Sequence, residues 1–192
     1  MHTAPANNIA RLLAGALILA APATAAPVNV CGVLSPEAIR QSTGEAATAT
    51  KPTSQTVGKV RYSQCFYALP TFANSISITV TGPAGLSHDS ARELWDRWFH
   101  RRDDDKDADK EKNKAGERGQ PQPESEMEEA AAKAVPLAGI GDEAFWVQSF
   151  VGNLYVRKGN QFLRISIGGK GTDEERQAKA KALAADALHR LH

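Results

Sequence analysis

Ser75-Ile76-Ser77-Ile78-Thr79-Val80-Thr81 alternates hydroxylated and apolar side chains without a break. A strand turns successive side chains to opposite faces, so this stretch has one apolar side and one polar side. That pattern belongs to a half-buried strand of an antiparallel sheet. Its neighbours are read from the same rule. Val60–Tyr67 reads as a strand holding Cys65, and Ala144–Phe150 as another. Leu154–Lys158 and Gln161–Ile167 flank Gly159-Asn160, a short hairpin turn, and Leu163, Ile165 and Ile167 share one face.

Helices surround these strands. Ser35 suits an N-cap, Pro36 the first helical position and Gly44 the exit, with Leu34 and Ile39 at the staple positions. Leu86–Phe99 places Ala91, Leu94, Trp95, Trp98 and Phe99 at helical spacing. Thr172 with Glu175 spells a capping box, and Ala180, Leu183, Ala184, Ala187, Leu188 and Leu191 line one face of the helix that follows. The expected fold is α+β, in the order α-β-β-α-β-β-β-α. One antiparallel sheet of about five strands has helices covering one face.

The amino terminus has the three parts of an export signal. Arg11 precedes the apolar run Leu12–Ala21, and Pro22 leads into the small residues Ala23-Thr24-Ala25-Ala26. The run is too short to span a bilayer, for which roughly 20 residues are needed. Residues 1–26 therefore read as a signal peptide cleaved near Ala25 or Ala26, leaving 27–192 as one domain, periplasmic or secreted. An uncleaved anchor is the alternative. Lipid attachment is disfavoured because bulky Val30 precedes Cys31, where a small residue belongs.

The chain has 23 Lys+Arg and 22 Asp+Glu. Losing Arg11 with the signal leaves the two equal, a balance that gives no electrostatic reason to expect nucleic acid, an anionic membrane or an acidic polymer as partner. Charge is concentrated in an insertion at about 101–133, which opens Arg-Arg-Asp-Asp-Asp-Lys-Asp and continues in Gly, Gln, Pro, Glu and Ser. Such a composition buries too little surface to offset ordering entropy, so a solvated, disordered insertion is expected.

Cys31 and Cys65 are the only cysteines. In an oxidising compartment they would pair, tying the first helix to the sheet across about 35 residues, worth roughly 3–4 kcal/mol by the chain-entropy account. A redox-active pair would sit as Cys-x-x-Cys at a helix start, and these two are far apart.

Cys31-Gly32-Val33-Leu34-Ser35-Pro36-Glu37 resembles the Cys-Gly-Leu-Leu-Thr-x-Glu opening of a family of two-cysteine bacterial envelope proteins, many of them lipoproteins, that carry a domain of unknown function. Cys65-Phe66-Tyr67, Gly139-Ile140-Gly141-Asp142-Glu143-Ala144-Phe145-Trp146 and Leu154-Tyr155-Val156-Arg157-Lys158-Gly159 resemble further segments of that pattern. The resemblance implies an exported α+β domain with one disulfide, and it brings no catalytic residues. This chain departs from it in lacking a lipid-attachment cysteine and in its charged insertion.

No catalytic constellation emerges. Ser87, His88 and Asp89 are adjacent in one turn, whereas a triad assembles its groups from separated segments. Asp105-x-Asp107-x-Asp109 has Lys110 where a calcium loop needs glycine and Gly116 where it needs glutamate. Gly168-Gly169-Lys170-Gly171 lacks the Ser or Thr of a phosphate loop and faces Asp173, Glu174 and Glu175. His189 and His192 supply only two ligands at a helix end. Trp95 and Trp98 read as core, and Trp146 as a candidate ligand contact.

The expectation is thus a non-enzymatic, exported binding module without cofactor or metal. Its partner is a protein or small envelope ligand, not nucleic acid, and it has no stable membrane insertion after cleavage. Its candidate ligand surface is Trp146, Tyr155, Arg157 and Arg164. The alternatives are an inhibitor or immunity protein for an exported enzyme, and an envelope hydrolase whose site is not visible in sequence.

Overall fold

A computed structural model of the chain describes residues 29–57, 60–83, 88–100, 134–148 and 151–191. The signal segment, the charged insertion with its Asp105–Asp109 run, Ser87 and His192 lie outside the described residues. In chain order, α1 (Pro36–Thr43) precedes β1 (Ala49–Val57), β2 (Val60–Ala68) and β3 (Ile76–Pro83). Then come α2 (His88–Phe99), β4 (Ala134–Leu137), β5 (Glu143–Val147), β6 (Gly152–Lys158), β7 (Gln161–Ile167) and α3 (Asp173–Arg190). Single 3-10 turns stand at Val30–Gly32 and Phe72–Asn74.

The alternating stretch forms the middle of the sheet. Ile76 and Ile78 have no exposed surface and Val80 very little, while Ser77 and Thr79 point to the other side. Ile78 lies opposite Cys65 of β2 and Ile165 of β7. The fold is α+β with one antiparallel sheet, but the sheet has seven strands in the order β1-β2-β3-β7-β6-β5-β4, not about five. It consists of two meanders joined where β3 pairs with β7.

The two unexpected strands are the sheet edges. β1 reads Ala-Thr-Lys-Pro-Thr-Ser-Gln-Thr-Val and is exposed along its whole length. With its side chains exposed it needs no apolar alternation, and Pro52 is tolerated because an edge strand has one unpaired side. β4 is short and holds Pro136. Pairing with a neighbour, rather than residue pattern, makes both of them strands.

The helices correct the expectation as well, because they cover both faces. On the first face, Cys65, Tyr67, Ile76, Ile78, Val80, Ala144, Trp146, Leu154, Val156, Leu163, Ile165 and Ile167 form the main core with Leu34 and Ile39 and with Ala180, Leu183, Ala184 and Ala187 of α3. On the second face, Trp95 and Trp98 of α2 pack with Phe145, Val147, Tyr155 and Phe162. Trp95 lies 5.3 Å from Phe162, and Phe99 stacks on Phe145 at 4.6 Å. β5 is therefore apolar on both sides (Ala144 and Trp146 on one, Phe145 and Val147 on the other), the mark of a strand buried twice.

Local signals place the helices as expected. Ser35 accepts from the Ala38 N–H at 3.1 Å, Pro36 opens α1, and Gly44 leaves it at a φ of 78°. Thr172 and Glu175 form the full capping box at the start of α3. α3 is then pinned at two points. Near its start, Asp173 accepts from Trp146 Nε1 at 2.8 Å; near its end, Asp186 accepts from the Ser35 N–H at 2.7 Å.

Cys31 and Cys65 form a disulfide with a Cα–Cα distance of 5.2 Å. It ties the first 3-10 turn to β2, and Tyr67, two residues on, donates its hydroxyl to the Cys31 carbonyl at 3.1 Å. Burial pushes the Tyr67 phenol above its ordinary pKa. Among the described residues, no helix is long and apolar enough to cross a membrane.

Candidate functional site

Two polar regions lie on the second face. The first grows from the Gly139-Ile140-Gly141-Asp142-Glu143 turn that leads into β5. Gly141 sits at a φ of 59°, and a Cβ there would lie 2.5 Å from the Arg157 carbonyl oxygen, so only glycine fits. That close approach lets the Asp142 N–H donate to the same oxygen at 2.8 Å. Asp142 in turn accepts from the Gly159 N–H at 2.7 Å and lies 3.4 Å from Lys158 Nζ. The Gly159 bond, aided by Lys158 and Arg157, holds the Asp142 carboxyl below the usual carboxylate range.

Glu143, the next residue, reaches the end of α2. It accepts from Trp95 Nε1 at 2.7 Å and lies 2.6 Å from His100 Nε2. Arg157 stands 3.7 Å from both carboxylates. Each oxygen of Asp142 and Glu143 thus has an internal partner. These bonds hold α2 and the β6–β7 turn in place. The cluster is a clamp. Among the described residues, no group of three His, Cys, Asp or Glu is placed to hold a metal ion.

The second region is the part of this face that α2's cluster does not reach. Among the described residues, the apolar contacts under α2 draw on β5, β6 and β7, with Ala134 of β4 at the margin. Over β1, β2, β3 and the near side of β7 the register sets out two polar rows. One runs Lys51, Phe66, Ser77, Ser166; the other runs Thr53, Gln64, Thr79, Arg164. Lys51, Thr53 and Gln64 are exposed, and Ser77, Thr79, Arg164 and Ser166 are half-buried. Gln64 donates to Ser77 Oγ at 2.6 Å. Arg164 donates through Nε to Asn153 Oδ1 at 3.3 Å, and its guanidinium carbon lies 5.7 Å from the centre of the Tyr155 ring.

The residues singled out from sequence fall in three places. Trp146 is buried on the first face beneath α3. Tyr155, only 5% exposed, lies on the second face with the Phe99 ring 5.3 Å away, and Arg157 belongs to the clamp. Arg164 stands at the border between the α2 cluster and the open rows, in contact with Tyr155. The structure thus joins Tyr155 to Arg164 and puts Trp146 on the opposite side of the sheet. Gly168–Gly171 is the connection into α3, and His189 is exposed.

Sequence reading missed Lys51 and Thr53 because β1 was not recognised as a strand, and so did not set them beside Gln64 of β2. Asp142 and Glu143 as a clamp had one signal, two carboxylates directly after a Gly-x-Gly turn. The chain matches no protein-family model, no curated protein and no solved structure.

Proposed function

We propose that the chain is an exported, non-enzymatic binding module that uses the uncovered part of its second sheet face. The observation that carries this reading is the division of that face. Among the described residues, α2 buries it over β5–β7 with aromatic side chains, and the remainder carries hydroxyl, amide and cationic groups together with Phe66. Polar side chains on the solvated side of an antiparallel sheet are available to a ligand rather than to packing.

Export is supported by the Arg11–Ala26 pattern and by the Cys31–Cys65 pairing, which persists in oxidising compartments. The resemblance of Cys31–Glu37 and Gly139–Trp146 to an envelope family points the same way, and it rests on those short segments alone.

A photo-crosslinking amino acid at exposed Gln64, with a control at exposed Ala182 on α3, tests the reading in the native host. The expected result is a discrete adduct from position 64 and none from 182. Absence of an adduct at 64, or equal adducts at both, overturns it.

A further inference from the structure

We infer that this open face binds a carboxylated polysaccharide, with Arg164 and Lys51 taking its uronate groups. The inference rests on the binding-module reading and supplies its ligand class.

The near-neutral net charge hides a separation along the chain. Between Glu45 and Asp89 there is no Asp or Glu, while Lys51, Lys59 and Arg61 fall in that stretch. β1, β2 and β3 all lie inside it, and the only charged residue of β7 is Arg164. The open rows therefore hold Lys51 and Arg164 and no carboxylate at all. Both cations stay outside the ion pairs of the described residues. Such a surface draws anions.

The arrangement specifies which anion. Asn153 and the Tyr155 ring hold the Arg164 guanidinium, and a guanidinium edge matches a carboxylate with two parallel bonds. Lys51 is three strands and two residues of register away from Arg164 in the sheet, about 16 Å at ordinary strand geometry. One small anion cannot reach both, whereas an extended chain can. Between them stand Thr79, Gln64 bonded to Ser77, and Ser166 bonded to Asn153, groups whose remaining donor and acceptor capacity suits sugar hydroxyls. Phe66, with Phe72 at 6.2 Å and 77% exposed, adds apolar ring surface at the Lys51 end, where a sugar C–H face can lie.

An acidic peptide fits less well. Extended peptides gain affinity from backbone hydrogen bonds at a sheet edge. The free side of β1 offers such bonds, but a ligand crossing from Lys51 to Arg164 runs over β2 and β3, whose backbone groups are already committed to neighbours on both sides, leaving only side chains to meet it.

Calorimetric titration of the full chain with polygalacturonate at low salt tests the inference, with neutral galactan and poly-glutamate as comparators. The expected result is saturable binding to polygalacturonate that weakens with salt and falls about tenfold or more in Arg164→Gln and in Lys51→Ala. Lys51 is exposed on an edge strand, so its variant keeps the test valid if Arg164→Gln fails to fold. No binding, equal binding of galactan, stronger binding of poly-glutamate, or indifference to both substitutions overturns the inference. An adduct at position 64 without polygalacturonate binding removes the polysaccharide and leaves the binding module standing. Loss of the adduct as well removes both.

Discussion

Asp142 joins a backbone requirement to a charge. Gly141 brings the chain against the Arg157 carbonyl, and Asp142 is thereby placed to accept from the Gly159 N–H across the β6–β7 turn. Its folded pKa lies below the unfolded value near 3.9. The stabilisation is therefore fully present above that unfolded value and is lost as pH falls through the folded one. The side chain is 37% exposed, so solvent screening keeps the charge contribution below about 1 kcal/mol. Asp142→Asn retains an acceptor and removes the charge. Urea unfolding should show the variant less stable at pH 7, with the gap closing toward pH 2; a gap that does not change with pH would refute the assignment.

Ser35 serves two elements at once. Its Oγ caps α1 through the Ala38 N–H, and its own N–H and Oγ both donate to Asp186 of α3, at 2.7 and 3.1 Å. The cap alone is worth about 1 kcal/mol. Removing either partner also cuts the link between helices far apart in sequence, so the two residues should not act independently. A double-mutant cycle with Ser35→Ala and Asp186→Ala should give a coupling of at least about 0.5 kcal/mol by chemical denaturation. Additive effects would mean that the contact holds nothing together. The cap was legible in sequence because Ser-Pro-x-x and Thr-x-x-Glu act through bonds only a few residues long. Its bond to Asp186 was not, since nothing local encodes a partner at the far end of the chain. Likewise β3 and β7 announced themselves by alternation, whereas β1 and β4 have almost no buried face to pattern. α2 was legible as an apolar helix, but which side of the sheet it covers depends on Phe145, Tyr155 and Phe162 facing away from the main core. Phe145 sits in a strand apolar on both sides, where period-two reading assigns no direction, and although Tyr155 and Phe162 fall opposite the apolar face of their own strands, nothing local says that α2 covers that side.

The sheet divides the molecule unequally. Among the described residues, α1, α3 and the disulfide cover the first face over β2, β3, β7, β6 and β5, and α2 covers part of the second, so the surface proposed for recognition is the part of the second face outside that cover. The first face must then be held without help from the open side. Cys65 has no exposed surface and stands opposite Pro52 of β1 and Ile78 of β3, so its bond to Cys31 fastens the leading turn near the centre of the first meander. The cross-link closes a separation of 34 residues, for which the entropy of the unfolded chain gives roughly 3–4 kcal/mol. Replacing both cysteines by serine adds the cost of a hydroxyl in an apolar site, so Cys31→Ala with Cys65→Ala is the cleaner comparison. Urea unfolding of that variant should show a loss of about 3 kcal/mol and a steeper denaturant dependence, since the uncrosslinked chain exposes more surface when unfolded. A loss with an unchanged slope would place the effect in native packing around Cys65. A loss under about 1 kcal/mol would mean that Tyr67 and the apolar contacts of Val30 and Val33 hold the turn by themselves.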